Sequence, residues 1–171
     1  QREFPCTIPQ EQDPLTHYGL INAVAACVDD EAIVTTDVGQ HQMWVAQAYP
    51  LNRPRQWLTS GGLGTMGFGL PAAVGAALAN PQRKVICFSG DGSLMMNIQE
   101  MATAAENQLD VKIILMNNEA LGLVHQQQSL FYQQGVFAAT YPGTINFMQI
   151  AAGFGLHTCD LNNEADPQAA L

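Results

Sequence analysis

Short apolar runs alternate with stretches of helical periodicity along most of the chain. The apolar runs predict strands at residues 32–36, 57–59, 84–89, 111–116 and 156–159. Apolar positions at helical spacing, with cap residues, predict helices at residues 16–28, 40–47, 68–78, 96–107, 123–131 and 146–152, and a helix start with an Asn cap at 163–166. This alternation predicts an α/β fold, a parallel β-sheet with helices on both faces.

Polar side chains follow two of the predicted strands. Gly90-Asp91-Gly92 comes after the strand at 84–89, and Asn117-Asn118 comes after the strand at 111–116. The carboxyl ends of parallel strands meet at one edge of a sheet, where ligands of open α/β folds bind. A carboxylate and an amide oxygen beside glycine-rich backbone suit a hard cation such as Mg²⁺ that holds a phosphate.

Asp91 has two interpretations. It can simply end a strand, but the glycines on either side allow close backbone approach and leave N–H groups free for a ligand. Ser93 follows near a helix start, where its hydroxyl and N–H can meet a phosphate. Asn118 strengthens the metal interpretation, although an Asn pair after a strand can also form a plain turn. One Asp, one Asn, one main-chain carbonyl, two phosphate oxygens and a water complete six oxygen ligands.

A second motif offers an alternative. Gly62-Leu63-Gly64-Thr65-Met66-Gly67 matches the G-x-G-x-x-G fingerprint of a nicotinamide dinucleotide-binding Rossmann domain, with Asp91 as the acid after the next strand. Against this alternative, glycines do not usually surround the Rossmann acid. The same glycines also fit close packing of a small-residue helix on the sheet.

Histidine 41 opens a predicted helix directly after a strand end. It is either a surface residue or a donor to a phosphate at the helix N-terminus, and the sequence favours neither. The other histidines have no evident partners and are predicted to be structural: His17, His125 and His157.

Composition narrows the class of protein. The chain has 171 residues, 47% of them apolar, and a net charge of −9 with only six Lys and Arg. This charge argues against nucleic acid and anionic membrane surfaces as partners. An anionic ligand then needs a metal or helix N-termini as local positive charge.

The remaining features indicate a cytoplasmic piece of a longer chain. No residue stretch reads as a signal peptide or a membrane span. The cysteines are far apart, so we expect reduced thiols, buried at Cys27 and Cys87, and no zinc site. Residues 1–14 contain three prolines and predict an interdomain linker, followed by one domain at 15–171.

Together the motifs resemble the catalytic large subunit of the acetohydroxyacid synthase (acetolactate synthase) family, a thiamine diphosphate-dependent family. Gly90-Asp91-Gly92 with Asn117-Asn118 resembles the thiamine diphosphate fingerprint. The resemblance also rests on three further stretches, at residues 37–44, 59–73 and 128–132. It covers residues 15–171 and implies the C-terminal, diphosphate-binding domain of a three-domain subunit.

The resemblance implies a role for each residue that matches a family motif. Asp91, the Asn118 side chain and the Ala120 carbonyl would hold Mg²⁺. Gln40, His41, Gly92 and Ser93 would contact the diphosphate. The Gly64 carbonyl and the Met66 N–H would bind the aminopyrimidine, and Met66 would hold the coenzyme bent. The implied reaction condenses pyruvate with a second 2-oxoacid, pyruvate or 2-oxobutyrate, with loss of CO₂, in branched-chain amino-acid biosynthesis.

Two departures from the family pattern matter. The glutamate that activates the coenzyme belongs to another domain of a partner subunit, and the FAD-binding domain is also absent, so we expect this piece alone to be inactive. The family also implies a second catalytic subunit and a small regulatory subunit. Many relatives carry Trp where this chain has Gln127, which predicts a weak preference for 2-oxobutyrate over pyruvate as second substrate.

Overall fold

The computed structural model describes Thr7 and residues 10–171. Its strands are β1 (Ile33–Thr36), β2 (Trp57–Thr59), β3 (Val85–Gly90) and β4 (Val111–Met116). Its α-helices are α1 (His17–Ala26), α2 (Gln40–Ala48), α3 (Gly69–Ala79), α4 (Asp91–Leu94), α5 (Glu100–Glu106), α6 (Gly122–Phe131), α7 (Phe147–Gly153) and α8 (Pro167–Ala170). A 3₁₀-helix at Leu161–Asn163 precedes α8.

The strands form one parallel sheet in the order β2-β1-β3-β4. In register, Ile33 lies opposite Val85, and Val85 lies opposite Val111. Helices connect successive strands, as parallel pairing requires. The α/β prediction is therefore confirmed.

Alternate residues of the central strands point to opposite faces of the sheet. On one face, Val85 and Cys87 pack with α3 and α5, including Leu70. On the other face, Ile86 and Phe88 pack with α1 and α2. Full burial of a side chain such as that of Phe88 contributes roughly 1.5–3 kcal/mol, so both faces stabilise the sheet. Helices on both faces were predicted from the sequence, and the two clusters confirm this.

The end of the chain departs from the prediction. Residues 156–159 form no strand, because their backbone pairs with no neighbouring strand in the described structure. The helix start predicted at 163–166 is also wrong in its cap. Asp166, rather than Asn163, caps α8, and its carboxylate accepts the N–H groups of Gln168 and Ala169 at 3.1 Å.

Two smaller expectations also need correction. The helix predicted at 96–107 begins only at Glu100, after a series of turns that follows α4. Cys27 is exposed because it follows the last residue of α1, whereas Cys87 is buried in β3 as expected.

The linker predicted at 1–14 lies partly outside the described residues, which omit 1–6 and 8–9. Within the described part, Asp13 accepts hydrogen bonds from Leu15 and Thr16, which lead into α1. Among the residues that the structure describes, no helix is both long enough and apolar enough to span a bilayer.

Candidate functional site

A cleft of about 220 Å³ lies at the carboxyl ends of β1, β3 and β4. Every predicted cofactor-binding or metal-ligating residue lines this cleft. They are Gln40, His41, Gly64, Met66, Asp91, Gly92, Ser93, Asn118 and Ala120. Parallel pairing of β3 with β4 produces this convergence, because Gly90 and Met116 lie opposite each other at the sheet edge.

Asp91 is buried at the point where β3 becomes α4, with 1% of its surface exposed. Its Oδ1 accepts the N–H of Gly92 at 2.8 Å, while its Oδ2 is buried without a hydrogen-bond partner among the described residues. A buried carboxylate oxygen without a partner costs free energy. A cation at this position would remove that cost.

Asn118 and Ala120 bring two further oxygens to the cleft. The Asn118 side-chain oxygen accepts the Ala120 N–H at 3.2 Å, which fixes a turn directly after β4. A side-chain oxygen bonded on one lone pair keeps a second for another ligand. The Ala120 backbone is held from the other side by an antiparallel bridge to Thr140.

His41 is buried and is not the surface residue that the sequence left possible. It lies in the first turn of α2, against the backbone of Gly39 and Gly90, where an added Cβ would approach its ring to about 3 Å. Burial lowers the pKa of His41 below 6.5, although Asp37 partly opposes the shift. The neutral ring has one N–H for donation, and its Nε2 has no partner in the described structure.

Gln40 and Ser93 already bond within the protein. The Gln40 amide donates to the side-chain oxygen of Gln126 on α6 at 2.9 Å. The Ser93 hydroxyl donates to the Val38 carbonyl at 2.8 Å, which ties α4 to the turn between β1 and α2. Through these bonds the two side chains fix the relative positions of the segments that line the cleft.

Gly64 and Met66 lie in the loop between β2 and α3. Gly64 has φ of +64°, a conformation that favours glycine. The loop is fixed at Gly67, whose N–H donates to Asp37 at 2.8 Å and whose carbonyl accepts from Asn97 at 2.6 Å. Met66 is thereby held at the cleft.

Asp37 is a functional candidate that the sequence interpretation missed. Its buried carboxylate accepts the N–H groups of Val38, Gly67 and Gly69 at 2.8–2.9 Å. Asp37 also follows a buried strand directly, but it lacks the glycines on both sides that singled out Asp91.

Tyr141 was also missed. Its hydroxyl is buried without a partner in the described structure and lies 2.9 Å from where a Cβ on Gly92 would stand. Burial, followed by the neighbouring Asp91, raises the pKa of Tyr141 to about 12. No motif indicated it, since it comes from an irregular segment remote in sequence.

Gln127 does not line the cleft. It is exposed on α6, directly after Gln126, which bonds to Gln40. Its proposed influence on substrate choice stays a prediction.

The unsatisfied groups favour an anionic ligand held by a cation. The described structure contains three buried side-chain atoms without a partner: His41 Nε2, Asp91 Oδ2 and Tyr141 Oη. All three lie around this end of β3. Asp91 is the sole charged residue among those that line the cleft, so the described residues bring no Lys or Arg to neutralise a phosphate. One carboxylate with amide and carbonyl oxygens fits Mg²⁺.

A larger groove, of about 480 Å³, lies at the opposite, amino end of the strands. Small residues of α3 and the side chains of Arg55 and Arg83 line it. None of the unpartnered buried atoms of the described structure lies there, so the groove carries no comparable argument for a ligand.

Comparisons with known proteins identify the family of the chain. Residues 37–171 match the family model described as "Thiamine pyrophosphate enzyme, C-terminal TPP binding domain". The chain belongs to this family. Thiamine pyrophosphate (TPP) is the thiamine diphosphate named above. The Rossmann alternative based on Gly62, Gly64 and Gly67 is not favoured by this result.

Similar proteins span a wide range of organisms. The chain is 91% identical over its whole length to the acetolactate synthase isozyme 1 large subunit of Escherichia coli, and covers 30% of that protein. It is 50% identical over 82% of its length to the isozyme 2 large subunit, of which it covers 26%. The acetolactate synthase of Arabidopsis thaliana chloroplasts is 41% identical over the full chain, which covers 27% of it.

A solved structure supports the fold. A thiamin diphosphate-dependent enzyme from Mycobacterium smegmatis superposes with a TM-score of 0.72 and 27% identity. The match covers 86% of this chain and 26% of that one. The chain thus spans less than a third of the length of these relatives.

Proposed function

We propose that the chain is the thiamine diphosphate- and Mg²⁺-binding part of an acetolactate synthase large subunit. The observation that carries the proposal is the buried, unpartnered Asp91 oxygen in a cleft that contains all the predicted ligands. The identity to acetolactate synthase large subunits supports the choice of reaction within the family.

The proposed metal site uses residues from two neighbouring strand ends. Asp91, the Asn118 side-chain oxygen and the Ala120 carbonyl would hold Mg²⁺, and two phosphate oxygens and a water would complete the octahedron. Gln40, His41, Gly92 and Ser93 lie around this position and would contact the diphosphate. For Ser93 the N–H is the available group, because its hydroxyl donates to Val38.

The chain's own residues would mainly position the coenzyme. When bound, thiamine diphosphate supplies the electron sink for decarboxylation of a 2-oxoacid. The Gly64 carbonyl and the Met66 N–H would bind its aminopyrimidine, and the Met66 side chain would hold it bent. Asp37 would keep this loop in place through Gly67 and Gly69. Fixed geometry of this kind lowers the entropic part of a barrier.

The remaining parts of the proposal concern the whole protein. It would condense pyruvate with pyruvate or 2-oxobutyrate in branched-chain amino-acid biosynthesis, in the cytoplasm. A second catalytic subunit would complete the site, FAD would bind mainly to a domain outside this chain, and a small regulatory subunit would associate. Resemblance to acetolactate synthase large subunits supports these points.

Calorimetry on the natural full-length chain tests the proposal. We expect binding of thiamine diphosphate that requires Mg²⁺, and no binding of NAD at the same concentrations. Binding of NAD, or binding of thiamine diphosphate that is indifferent to chelation of Mg²⁺, contradicts the proposal.

An Asp91→Ala variant tests the metal ligand itself. We expect it to fold but to lose Mg²⁺-dependent binding, because it removes the one carboxylate among the described residues that line the cleft. Asp30→Ala, an exposed change before β1, is the matched control and should bind normally. Retained Mg²⁺-dependent activity in Asp91→Ala would count against the site.

A further inference from the structure

The segment that carries Tyr141 is tied to one of the proposed metal ligands. The Leu121 N–H donates to the Ala139 carbonyl at 2.8 Å, and the Tyr141 N–H donates to the Glu119 carbonyl at 3.1 Å. Between these bonds, Ala120 and Thr140 form an antiparallel bridge. The backbone of Tyr141 is therefore fixed relative to the Ala120 carbonyl.

The Tyr141 side chain extends to the segment that contains Asp91. A Cβ on Gly92 would meet the Tyr141 hydroxyl at 2.9 Å, which places this hydroxyl beside the residue that follows Asp91. The hydroxyl and the Asp91 Oδ2 are both buried and both without a partner in the described structure. After burial, the Asp91 carboxylate raises the pKa of Tyr141, both as a hydrogen-bond acceptor and through its charge, which places the two groups side by side. Strict distance and angle limits nevertheless leave both oxygens without a partner in the described structure.

We propose that Tyr141 is a positioning residue whose hydroxyl donates a hydrogen bond to Asp91 Oδ2 and orients the carboxylate towards the metal. The inference rests on the proposed function, in which Asp91 binds Mg²⁺. The bond would satisfy two buried groups at once. With Gly92 bonded to Oδ1, each oxygen keeps a further lone pair for the metal. Loss of a residue that hydrogen-bonds to a metal ligand and orients it typically lowers metal affinity by 10- to 100-fold.

The test is a Mg²⁺ titration of the natural full-length chain at a fixed concentration of thiamine diphosphate, with calorimetry as the measurement. We expect Tyr141→Phe to raise the half-saturating Mg²⁺ concentration about tenfold. At saturating Mg²⁺, its affinity for thiamine diphosphate should equal that of the wild type. Tyr18→Phe, which removes a phenol that bonds to Gln47 and lies outside the cleft lining, should titrate like the wild type.

A shift that disappears at saturating Mg²⁺ separates positioning from a merely structural role. If Tyr141→Phe titrates like the wild type, or loses coenzyme affinity at every Mg²⁺ concentration, the inference is overturned while the proposed function stands. If the wild type binds thiamine diphosphate without Mg²⁺, both fail. Tyr141→Leu, which also lacks the donor, should show the same shift and provides a second variant should the Phe substitution impair folding.

Discussion

Asp37 and Asp91 are buried carboxylates at the ends of neighbouring strands, yet their surroundings give them different roles. Asp37 accepts three backbone N–H groups and is satisfied within the protein. Asp91 accepts one, and its Oδ2 has no partner among the residues that the structure describes. The sequence predicted Asp91 from its flanking glycines but could not reveal the role of Asp37. Its partners Gly67 and Gly69 are brought to it only by the packing of α3 on β1.

The lowered pKa of His41 predicts how the stability of the chain depends on pH. Burial lowers its pKa in the folded state below 6.5, so the unfolded chain takes up a proton first as the pH falls. The free energy of unfolding should therefore decrease as the pH falls below 6.5, until the folded-state pKa is passed. Urea unfolding of the chain between pH 7.5 and pH 5 measures this dependence.

Substitution of the ring isolates its contribution. His41→Gln cannot titrate, so its stability should change less over the same pH range than that of the wild type. Parallel pH profiles for the two proteins would show that His41 does not contribute.

We predict that the residue at position 127 influences the choice between pyruvate and 2-oxobutyrate as the second substrate. The resemblance places Trp at this position in many relatives, and an indole offers an apolar surface for the extra methyl group of 2-oxobutyrate. In the natural full-length chain, Gln127→Trp should increase the product from 2-oxobutyrate relative to that from pyruvate. Discrimination by one methylene is limited to about 1–3 kcal/mol, or roughly 10- to 200-fold.

Competition between the two 2-oxoacids gives the measurement. Gln168→Trp adds the same exposed indole on α8 and should leave the product ratio unchanged. An unchanged ratio in Gln127→Trp would contradict the prediction.

At the scale of elements, the sequence predicted the strands that a local apolar pattern is enough to define. The central strand β3 begins with a continuous apolar run, residues 85–88, because helices cover both of its faces. Residues 156–159 were also predicted to be a strand but form none, since a strand needs a neighbour whose backbone pairs with it. The bridge between Ala120 and Thr140 could not be predicted either, because it depends on which two segments of the chain the fold brings together.

Two glycines of α3 predict opposite effects of the same substitution. A Cβ at Gly69 would lie 2.7 Å from the backbone nitrogen of Asp37, whereas a Cβ at Gly75 would meet no atom of the described residues within 4 Å. Gly69→Ala should therefore destabilise the chain by roughly 1–3 kcal/mol through overpacking. Gly75→Ala should stabilise it by about 0.5–1 kcal/mol, because alanine favours the helix.

Urea unfolding of both variants measures this difference. The two changes share one helix and one chemistry, so each is the control for the other. A neutral Gly69→Ala would show that the contact with Asp37 relaxes without cost.

At the scale of the whole molecule, the negative net charge of the chain opposes the binding of an anionic ligand in the cleft. The chain carries a net charge of −9, and the described residues that line the cleft include no Lys or Arg. Under the proposed function, an anionic coenzyme would be attracted by the Mg²⁺ ion and by neutral donors, not by the overall field of the protein. Composition alone indicated this requirement before any geometry was known.

The residues that line the cleft also predict that the chain alone does not form acetolactate from pyruvate. Among the described residues that line the cleft, Asp91 is the sole carboxylate, and we assign it to the metal. None of the other described lining residues carries a carboxylate that could activate the coenzyme. The 171-residue chain supplied with pyruvate, thiamine diphosphate, Mg²⁺ and FAD should therefore form no acetolactate above background. The natural full-length chain should form it under the same conditions, measured as acetoin after acid treatment. Turnover by the short chain would mean that a group in this domain takes the role assigned to a glutamate of the partner subunit. His41 would be the first candidate, because its buried Nε2 lies unpartnered at the cleft.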